Sequence, residues 1–535
     1  MSTCFNLLDE PWIPVRLTSG AVEDVGLLAL FDRLGEITAL AETSPPSLVA
    51  LHRLLLAVTN RALFMALGTW RDKDRAQWYR DGLPVDVMRD YLEKWRERFW
   101  LFHPEVPFMQ VAALAHCEET RSKTKPWTQI ALDRASGNTP VLFDHSVDGA
   151  PSAIDAALAL RYLLGFLQFT PGGLVKVIRG SDKAGALANT AAAVPMGGNL
   201  CQTLCLGLHG IDRRSENDLP AWEQPAPSVP DLSADARLAT GPNDRYTRLS
   251  RAVLLEPEGP RCAVRVIRFA AGLALEDDAQ APDPMASYRM GTNGLVRLSF
   301  SEGRALWRDL PSLLADPLGK HASPAAVLGW AANLQRAVGN RRAHLPVLVA
   351  GLASDQAKLL RWRSERFALP ATVLSEPDSA QFLRTLLGQA EESFHRLRGM
   401  AVDMVAETLA DPGNKDTRSR ARIMVDGGPC EATFFSAAER ALPDLMSHIR
   451  EDALDEADAV WRQVLLAASL SAWDAVSRSM GSSSVALRAQ ALHRWKLDRL
   501  LRELRNETSD GSAGPVPPFS SSSQTQPKPD QEVHS

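Results

Sequence analysis

The sequence contains none of the short motifs that announce common catalytic chemistry. GxxxxGK(S/T) and GxGxxG are both absent, so no phosphate-cradling or dinucleotide-binding glycine turn is present. HExxH and paired CxxC are missing too, which removes the usual zinc-binding spacings. Cysteine is scarce: Cys4, Cys117, Cys201, Cys205, Cys262 and Cys430 are the only six in 535 residues. Six thiols scattered through so long a chain exclude a disulfide framework and read as reduced cysteines of a cytoplasmic protein. Net positive charge is also lacking. At −5, with an isoelectric point near 6.2, the whole surface cannot attract a polyanion, so any nucleic-acid-binding face must be local; this composition disfavours a stand-alone DNA binder and is compatible with a subunit that borrows affinity from partners. Apolar runs are broken by charge before the ~18 residues a membrane helix needs. Asp9, Glu10 and Pro11 interrupt the start, where a signal peptide would be apolar. The expectation is a cytoplasmic chain with no membrane partner.

What is present is ordinary globular material. Hydrophobic residues make up 45% and charged residues 23%, enough for a sizeable core, and the length suits about two to four domains. Phe5 to Arg16 reads as a short strand that Pro11 and Pro14 confine to an edge or a bulge. After Pro45-Pro46-Ser47, the apolar residues Leu48, Leu51, Leu55, Val58, Ala62 and Met65 recur at helical spacing. A second helix is predicted from Val85 to Phe99, a loop over His103 to Gln110, and a long exposed loop over Thr124 to Pro151. A helix from Ile154 to Phe166 precedes Pro171-Gly172-Gly173 and an irregular stretch with Lys176, Arg179 and Lys183. Residues 218–245 read as linker, and the short apolar runs near 253–255, 263–267 and 294–300 as strands. The last third turns helical over Ser379–Leu409, Ala432–Ile449, Leu454–Met480 and Val485–Asn506, which suggests an antiparallel four-helix bundle. The predicted fold is α+β: a large mixed α/β N-terminal domain with irregular loops over residues 1–375, a C-terminal four-helix bundle over 376–507, and a disordered tail over 508–535.

Candidate chemistry is thin. Cys201, Cys205 and His209 share a predicted helix face, but zinc takes about four ligands from separate elements, so core packing is the better account. Asp144-His145-Ser146 supplies acid, imidazole and hydroxyl, yet consecutive side chains point apart, and a triad or a metal-dependent hydrolase needs partners from distant segments. Neither a catalytic set, a metal nor a cofactor is expected. Glycines 172 and 173 would let backbone approach a groove or phosphate closely. Arg488, His493, Arg494, Lys496, Arg499, Arg502 and Arg505 make the last helix the clearest local excess of positive charge.

Several of these segments, in this order, resemble the CasA-type large subunit of the type I-E CRISPR Cascade complex. Asn6-Leu7-Leu8 with Trp12-Ile13-Pro14-Val15-Arg16 is similar to that family's opening, and Pro107-Phe108-Met109-Gln110 to its PFMQ segment. Ser136-Gly137-Asn138-Thr139 leading to Phe143 resembles the loop that meets the 5′ handle of the guide RNA. Pro171-Gly172-Gly173 matches the glycine loop. Gly351 to Ala357 matches the hairpin carrying the glutamine wedge, with Gln356 in the wedge position. The family's lysine finger has no lysine counterpart between Val264 and Leu275, where Arg265 and Arg268 stand instead.

The resemblance implies a binding subunit and no catalytic residue. Gly172, Gly173, Asp355, Gln356, Ala357, Arg265 and Arg268 would meet the PAM duplex, and Asn138, Thr139 and Phe143 the guide-RNA handle. Arg494, Lys496, Arg499 and Arg502 would meet DNA backbone. The implied partners are the other Cascade subunits, the CRISPR guide RNA, double-stranded target DNA with its PAM and displaced strand, and a helicase-nuclease effector. Two other readings stay open: a metal-dependent nuclease or phosphohydrolase using the His145 region, and an assembly scaffold that never touches DNA.

Overall fold

From 45 to 67 all but six positions are apolar, and the six (Ser47, His52, Arg53, Thr59, Asn60 and Arg61) are spread round a helix, which therefore has no single polar face to give to water. The computed structural model describes residues 3–506 apart from 136–148, 174, 211–215, 279–280 and 356–357. In it the segment forms one helix, Pro45–Leu67, with proline in its first turn, where the missing N–H is not needed. Every residue from Pro46 to Leu63 is buried. By length and composition this helix could cross a membrane, contrary to the sequence expectation. Its two arginines do not interrupt it because each meets a carboxylate inside the fold. Arg53 makes a two-pronged bond to Asp283 at 2.8 and 3.1 Å, with both side chains fully buried, and its guanidinium lies 4.4 Å from the Tyr246 ring centre. Burial pushes the Asp283 carboxyl up, and Arg53 beside it more than offsets this, holding it below the usual range.

Arg61 binds Glu223 through Nε at 3.0 Å and Nη2 at 2.5 Å, and the Tyr91 hydroxyl donates to the same carboxylate at 2.6 Å. Glu223 lies in the stretch expected to be linker, and that expectation is wrong. Trp222 and Leu232 are buried. The prolines and aspartates that suggested a linker instead start short helices: Ser228 and Asp231 form a capping box for Val229–Ser233, and Asp218 accepts from the N–H groups of Asn243 and Asp244 at the start of Pro242–Thr247. The helix Ala156–Phe169 is capped by the Asp155 carboxylate and crosses the core helix at Gly165. A Cβ on Gly165 would lie 2.9 Å from the Ser47 nitrogen, so only glycine permits this approach.

Small antiparallel sheets surround these helices. Ile13–Leu17 is the central strand between Val22–Val25 and Ile37–Leu40, rather than an edge. Its bulge lies at Arg16/Leu17, and Pro14 serves the sheet through its carbonyl, which accepts from Ala41. Ala263–Ala271 is central between Arg251–Glu258 and Lys125–Pro126. The longest pairing is a hairpin, His344–Asp355 with Lys358–Pro370, whose first strand also pairs with Ala192–Pro195. Cys4 and Cys262, 258 residues apart, are joined by a disulfide, which corrects the reading of six reduced thiols. Sequence spacing carried no hint of it, because the segment that brings the two together, 100–111, belongs to neither cysteine's neighbourhood. The other four cysteines are buried and free.

Contact density divides the chain into two units, and the division falls inside the helix Pro377–Ala406, between Gly388 and Gln389. The second unit contains the rest of that helix with Lys415–Asp426, Cys430–Arg440, Leu454–Ser479 and Ser484–Asn506. The predicted helix over 432–449 is really two, broken at Ala441 ahead of Pro443, and its second half, Leu442–Glu451, packs with the first unit. Lys415–Asp426 escaped sequence reading because it buries only Thr417, Ala421 and Val425, a single narrow stripe. Phe394, Phe434 and Phe435 meet with ring centres 4.7 to 5.4 Å apart in the unit's core.

His52 on the core helix gives the first unit a pH dependence. Its Nδ1 lies 2.8 Å from the Leu48 carbonyl, and burial lowers its pKa from 6.5 to about 4. The folded protein keeps the ring neutral while the unfolded chain binds a proton below pH 6.5, so the stability is whole above that value and is lost as pH falls toward 4. The loss is on the order of 3 kcal/mol. His52→Leu should flatten the unfolding free energy across this window; urea titrations with an unchanged slope would show that the ring titrates normally.

Candidate nucleic-acid interface

The PFMQ segment turns out to be architectural. Phe108 stacks on Phe99 and lies 6.0 Å from Trp222, and the buried Gln110 joins two layers. Its amide nitrogen donates to the Leu101 carbonyl at 2.6 Å, and its amide oxygen accepts from Leu255 N–H at 2.8 Å. Cys4–Asn6 pairs with Trp100–Phe102, so this bridge carries the N-terminal strand to Arg251–Glu258 and explains how Cys4 reaches Cys262.

The glycine loop leaves the end of the helix Ala156–Phe169 and returns at Gly185. Gly185 N–H donates to Thr170 O at 2.8 Å and Gly173 N–H to Asp182 O at 3.1 Å, so the limbs are closed at the base. Gly172 and Gly173 are both exposed. A Cβ on Gly172 would sit 3.1 Å from Ala184 N. Gly173 has open space around it but a φ of +80°, which side chains disfavour. The charges first grouped with these glycines separate. Lys176 and Lys183 are exposed, whereas Arg179 donates inward to the carbonyls of Leu232 (2.6 Å) and Ala234 (2.5 Å).

Beyond the loop, Ala186 to Thr190 leads into Ala192–Pro195, which pairs with the long hairpin. Gly351 is where the two meet: a Cβ there would fall 2.1 Å from the Thr190 carbonyl oxygen. Register runs to Asp355 opposite Lys358, so the paired strands reach the residues flanking 356–357. Gln356 and Ala357 themselves lie outside the described residues, as do Asn138, Thr139, Phe143 and Asp144-His145-Ser146; Asp355 is described by its backbone. The glycine loop and the long hairpin, about 180 residues apart in sequence, are therefore joined through one short segment, Ala186 to Thr190, which runs from the base of the loop to the contact with Gly351.

Arg265 and Arg268 project from Ala263–Ala271 in different states. Arg268 is mostly buried, bonded to Glu256 at 2.6 Å and to the carbonyls of Thr120 (2.8 Å) and Arg121. Its Nε and Nη1 are committed within the fold, so it is less available to a groove than Arg265. Arg265 pairs with Glu258 at 3.2 Å and donates to Pro151 O, yet stays 44% exposed. Cys201 and Cys205 are both buried; the hydrogen bond between them, against burial, lowers Cys201 to about 7, and the same bond, with burial, raises Cys205. His209 packs on Trp330 at 5.4 Å. Among the described residues no three His, Cys, Asp or Glu side chains are grouped to hold a metal ion.

In the second unit, the last helix buries Ala489, His493, Leu497, Leu500 and Leu504. The opposite side carries Arg488, Trp495, Arg499 and Arg502, all exposed, with the Arg499 guanidinium 5.5 Å from the Trp495 ring centre. Of the four residues assigned to DNA backbone, Arg499 and Arg502 lie on this outward face. Lys496 is turned to Asp403 at 2.9 Å, and Arg494 lies on the other flank with Asp498 at 3.0 Å. His493, counted with the basic residues, is kept neutral near pH 7, first by burial and then by Lys496. Trp495 was missed, although its signal was in the sequence: a large apolar residue out of phase with the buried stripe.

An α+β unit with a glycine loop rooted beside a long hairpin, followed by a helical unit, is an architecture seen before. The structure of Thermus thermophilus CasA (Cse1) matches with a TM-score of 0.80 at 33% identity, over 94% of this chain and all of that one. A chain of a CRISPR RNA-guided surveillance complex shares the fold, with a TM-score of 0.71 at 22% identity, over 94% of this chain and 100% of that one. In sequence, the CRISPR-associated protein CasA/Cse1 of Thermus thermophilus is 36% identical over 516 residues, which cover 94% of this chain and 98% of the relative. The model of the CRISPR-associated protein Cse1 family matches residues 6–472, and this chain belongs to that family.

The tight approach at Gly351 has a measurable consequence. Gly351→Ala forces the hairpin away from Thr190, an overpacking that should cost about 1–3 kcal/mol. A lowered thermal midpoint is expected, and an unchanged one would show that the two segments are not pressed together in solution.

Proposed function

We propose that this chain is the large subunit of a type I-E CRISPR RNA-guided surveillance complex, acting by binding rather than catalysis. It would read the PAM in double-stranded DNA, start strand separation for R-loop formation and help recruit a helicase-nuclease. In such complexes guide pairing reads the sequence while protein reads a short duplex motif. The minor groove offers a degenerate pattern of donors and acceptors, which a backbone loop and one amide side chain can read tolerantly.

The observation that carries this reading is the common root of the glycine loop and the wedge hairpin at Thr190–Ala192. A loop that grips the duplex and a wedge that parts it must be held at a fixed spacing, and a shared strand pairing supplies that rigidity. Arg265, half-exposed, suits a supporting contact to DNA better than Arg268. Asn138, Thr139 and Phe143 are assigned to the guide handle by family likeness. The outward Arg488, Arg499 and Arg502 with Trp495 suit nucleic-acid backbone and an unstacked base. Work inside the cell, in the cytoplasm, belongs to the same proposal.

R-loop formation tests the wedge directly. A wedge lowers the few kcal/mol needed to unstack a base step, so Gln356→Ala should slow R-loops on intact targets and recover on targets already melted beside the PAM. Gly173→Val should remain defective on both, because PAM contact precedes melting. Equal defects of Gln356→Ala on intact and melted targets would leave the hairpin without a wedge role.

The helical face is tested by salt. Removing the charges of Arg488, Arg499 and Arg502 should weaken DNA binding alike for all sequences. It should also flatten the slope of log K against log salt by about 0.7–0.9 for each phosphate no longer neutralised. Lys496→Gln should leave that slope unchanged. A triple variant with the parental slope would mean the face is only solvated.

A further inference from the structure

Beneath the glycine loop lies a buried cation that binding does not explain. Arg251 is the first residue of Arg251–Glu258 and is 1% exposed. Its Nη1 donates to the carbonyls of Lys183 at 2.5 Å and Ser250 at 2.8 Å, and its Nη2 donates to the Pro171 carbonyl. Asp182 Oδ2 lies 2.8 Å from Nη2 as the counter-charge. The guanidinium thus holds both limbs at once: Pro171, immediately before Gly172, and Asp182-Lys183 on the return. Gly173 N–H bonds back to Asp182 O, so the glycines are fixed to the limb that Arg251 holds.

The backbone that carries this side chain is closely packed: a Cβ on Gly272 would lie 2.4 Å from Arg251 N and 2.5 Å from its Cα. Burial lowers the guanidinium to about 10, which leaves it charged at neutral pH. Only arginine suits the position, because its planar fork directs several N–H groups along fixed, divergent lines, whereas a lysine is a single point donor.

We infer that Arg251 is a positioning residue for duplex recognition: it sets the separation of the loop's limbs, and hence the reach of Gly172 and Gly173 into a DNA groove. The inference rests on the reading that the glycine loop contacts duplex DNA. It adds that the loop's affinity for a PAM duplex is governed by a group that never touches the DNA.

The test uses the full chain assembled with its guide-RNA complex. Equilibrium affinity is measured for duplexes with and without PAM, together with docking onto the complex and amide exchange across 170–185. Arg251→Lys keeps the charge beside Asp182 but cannot span the limbs. It should weaken PAM-duplex binding about tenfold, the loss of one charged hydrogen bond, with faster exchange at Gly173 and Gly185 and unchanged docking. Asp182→Asn keeps the fork and removes the counter-charge; an effect of about threefold in the same direction is expected, and this variant carries the test if Arg251→Lys does not fold. Parental affinity and exchange in the folded variants, with Gly173→Val still weakened, would overturn the role of Arg251 while leaving the loop's role intact. Parental affinity in Gly173→Val as well would overturn the loop reading, and the positioning role with it.

Discussion

The buried pair between Arg53 and Asp283 is the constraint around which the first unit is organised. Two fully desolvated charges are costly unless each meets its partner in good geometry, and removing one partner of such a pair typically costs about 3–5 kcal/mol. Here the geometry is bidentate, the guanidinium stacks on Tyr246, and Asp283 also accepts from Met285 N–H. Satisfying it requires the segments around 53, 245 and 283 to converge, which encloses the helix Pro45–Leu67. Encasing that helix leaves its neighbours, including Ala156–Phe169, in fixed places. The glycine loop begins where Ala156–Phe169 ends.

From that frame, single polar side chains join layers that strand pairing leaves separate. Gln110 links the Trp100–Phe102 strand to Arg251–Glu258, Arg61 and Tyr91 converge on Glu223, and Arg251 joins the limbs of the glycine loop. Each is buried where an unmatched donor or acceptor would be expensive, so these links fix one arrangement among several that apolar packing alone would tolerate. The loop and hairpin are held in register by this network and by the close approach of Gly351 to Thr190. Under the proposed function, that rigidity would hold the two recognition elements at a set spacing.

Charge is distributed with the same economy. The chain is net acidic, and two arginines that looked available for nucleic acid are committed internally, Arg179 to carbonyls near 232–234 and Arg268 to Glu256, while Arg251 is buried at the loop base. Among the cations exposed near the candidate elements are two small groups, Lys176 and Lys183 on the glycine loop and Arg488, Arg499 and Arg502 on the last helix. Local groups of this size give modest phosphate affinity by themselves, which fits the proposal that the subunit would bind DNA only together with partners.

The sequence alone determined the α+β class, the core helix, the helical final third and the order of family segments, because helical periodicity and short motifs are local properties. It also marked Gly172-Gly173 and the Gly351–Ala357 hairpin as places of interest. It misjudged 218–245, where proline and aspartate served as helix starts and caps; composition cannot separate those uses from a linker. It missed Lys415–Asp426, whose buried stripe is one residue wide, and it merged two helices across Pro443. Which arginines are free and which are structural could not be read at all, since Arg179, Arg251, Arg265 and Arg268 are chemically the same residue. Only the tertiary structure decided that, along with the Cys4–Cys262 pairing and the shared root of loop and hairpin, because each depends on atoms far apart in the chain being brought within bonding distance.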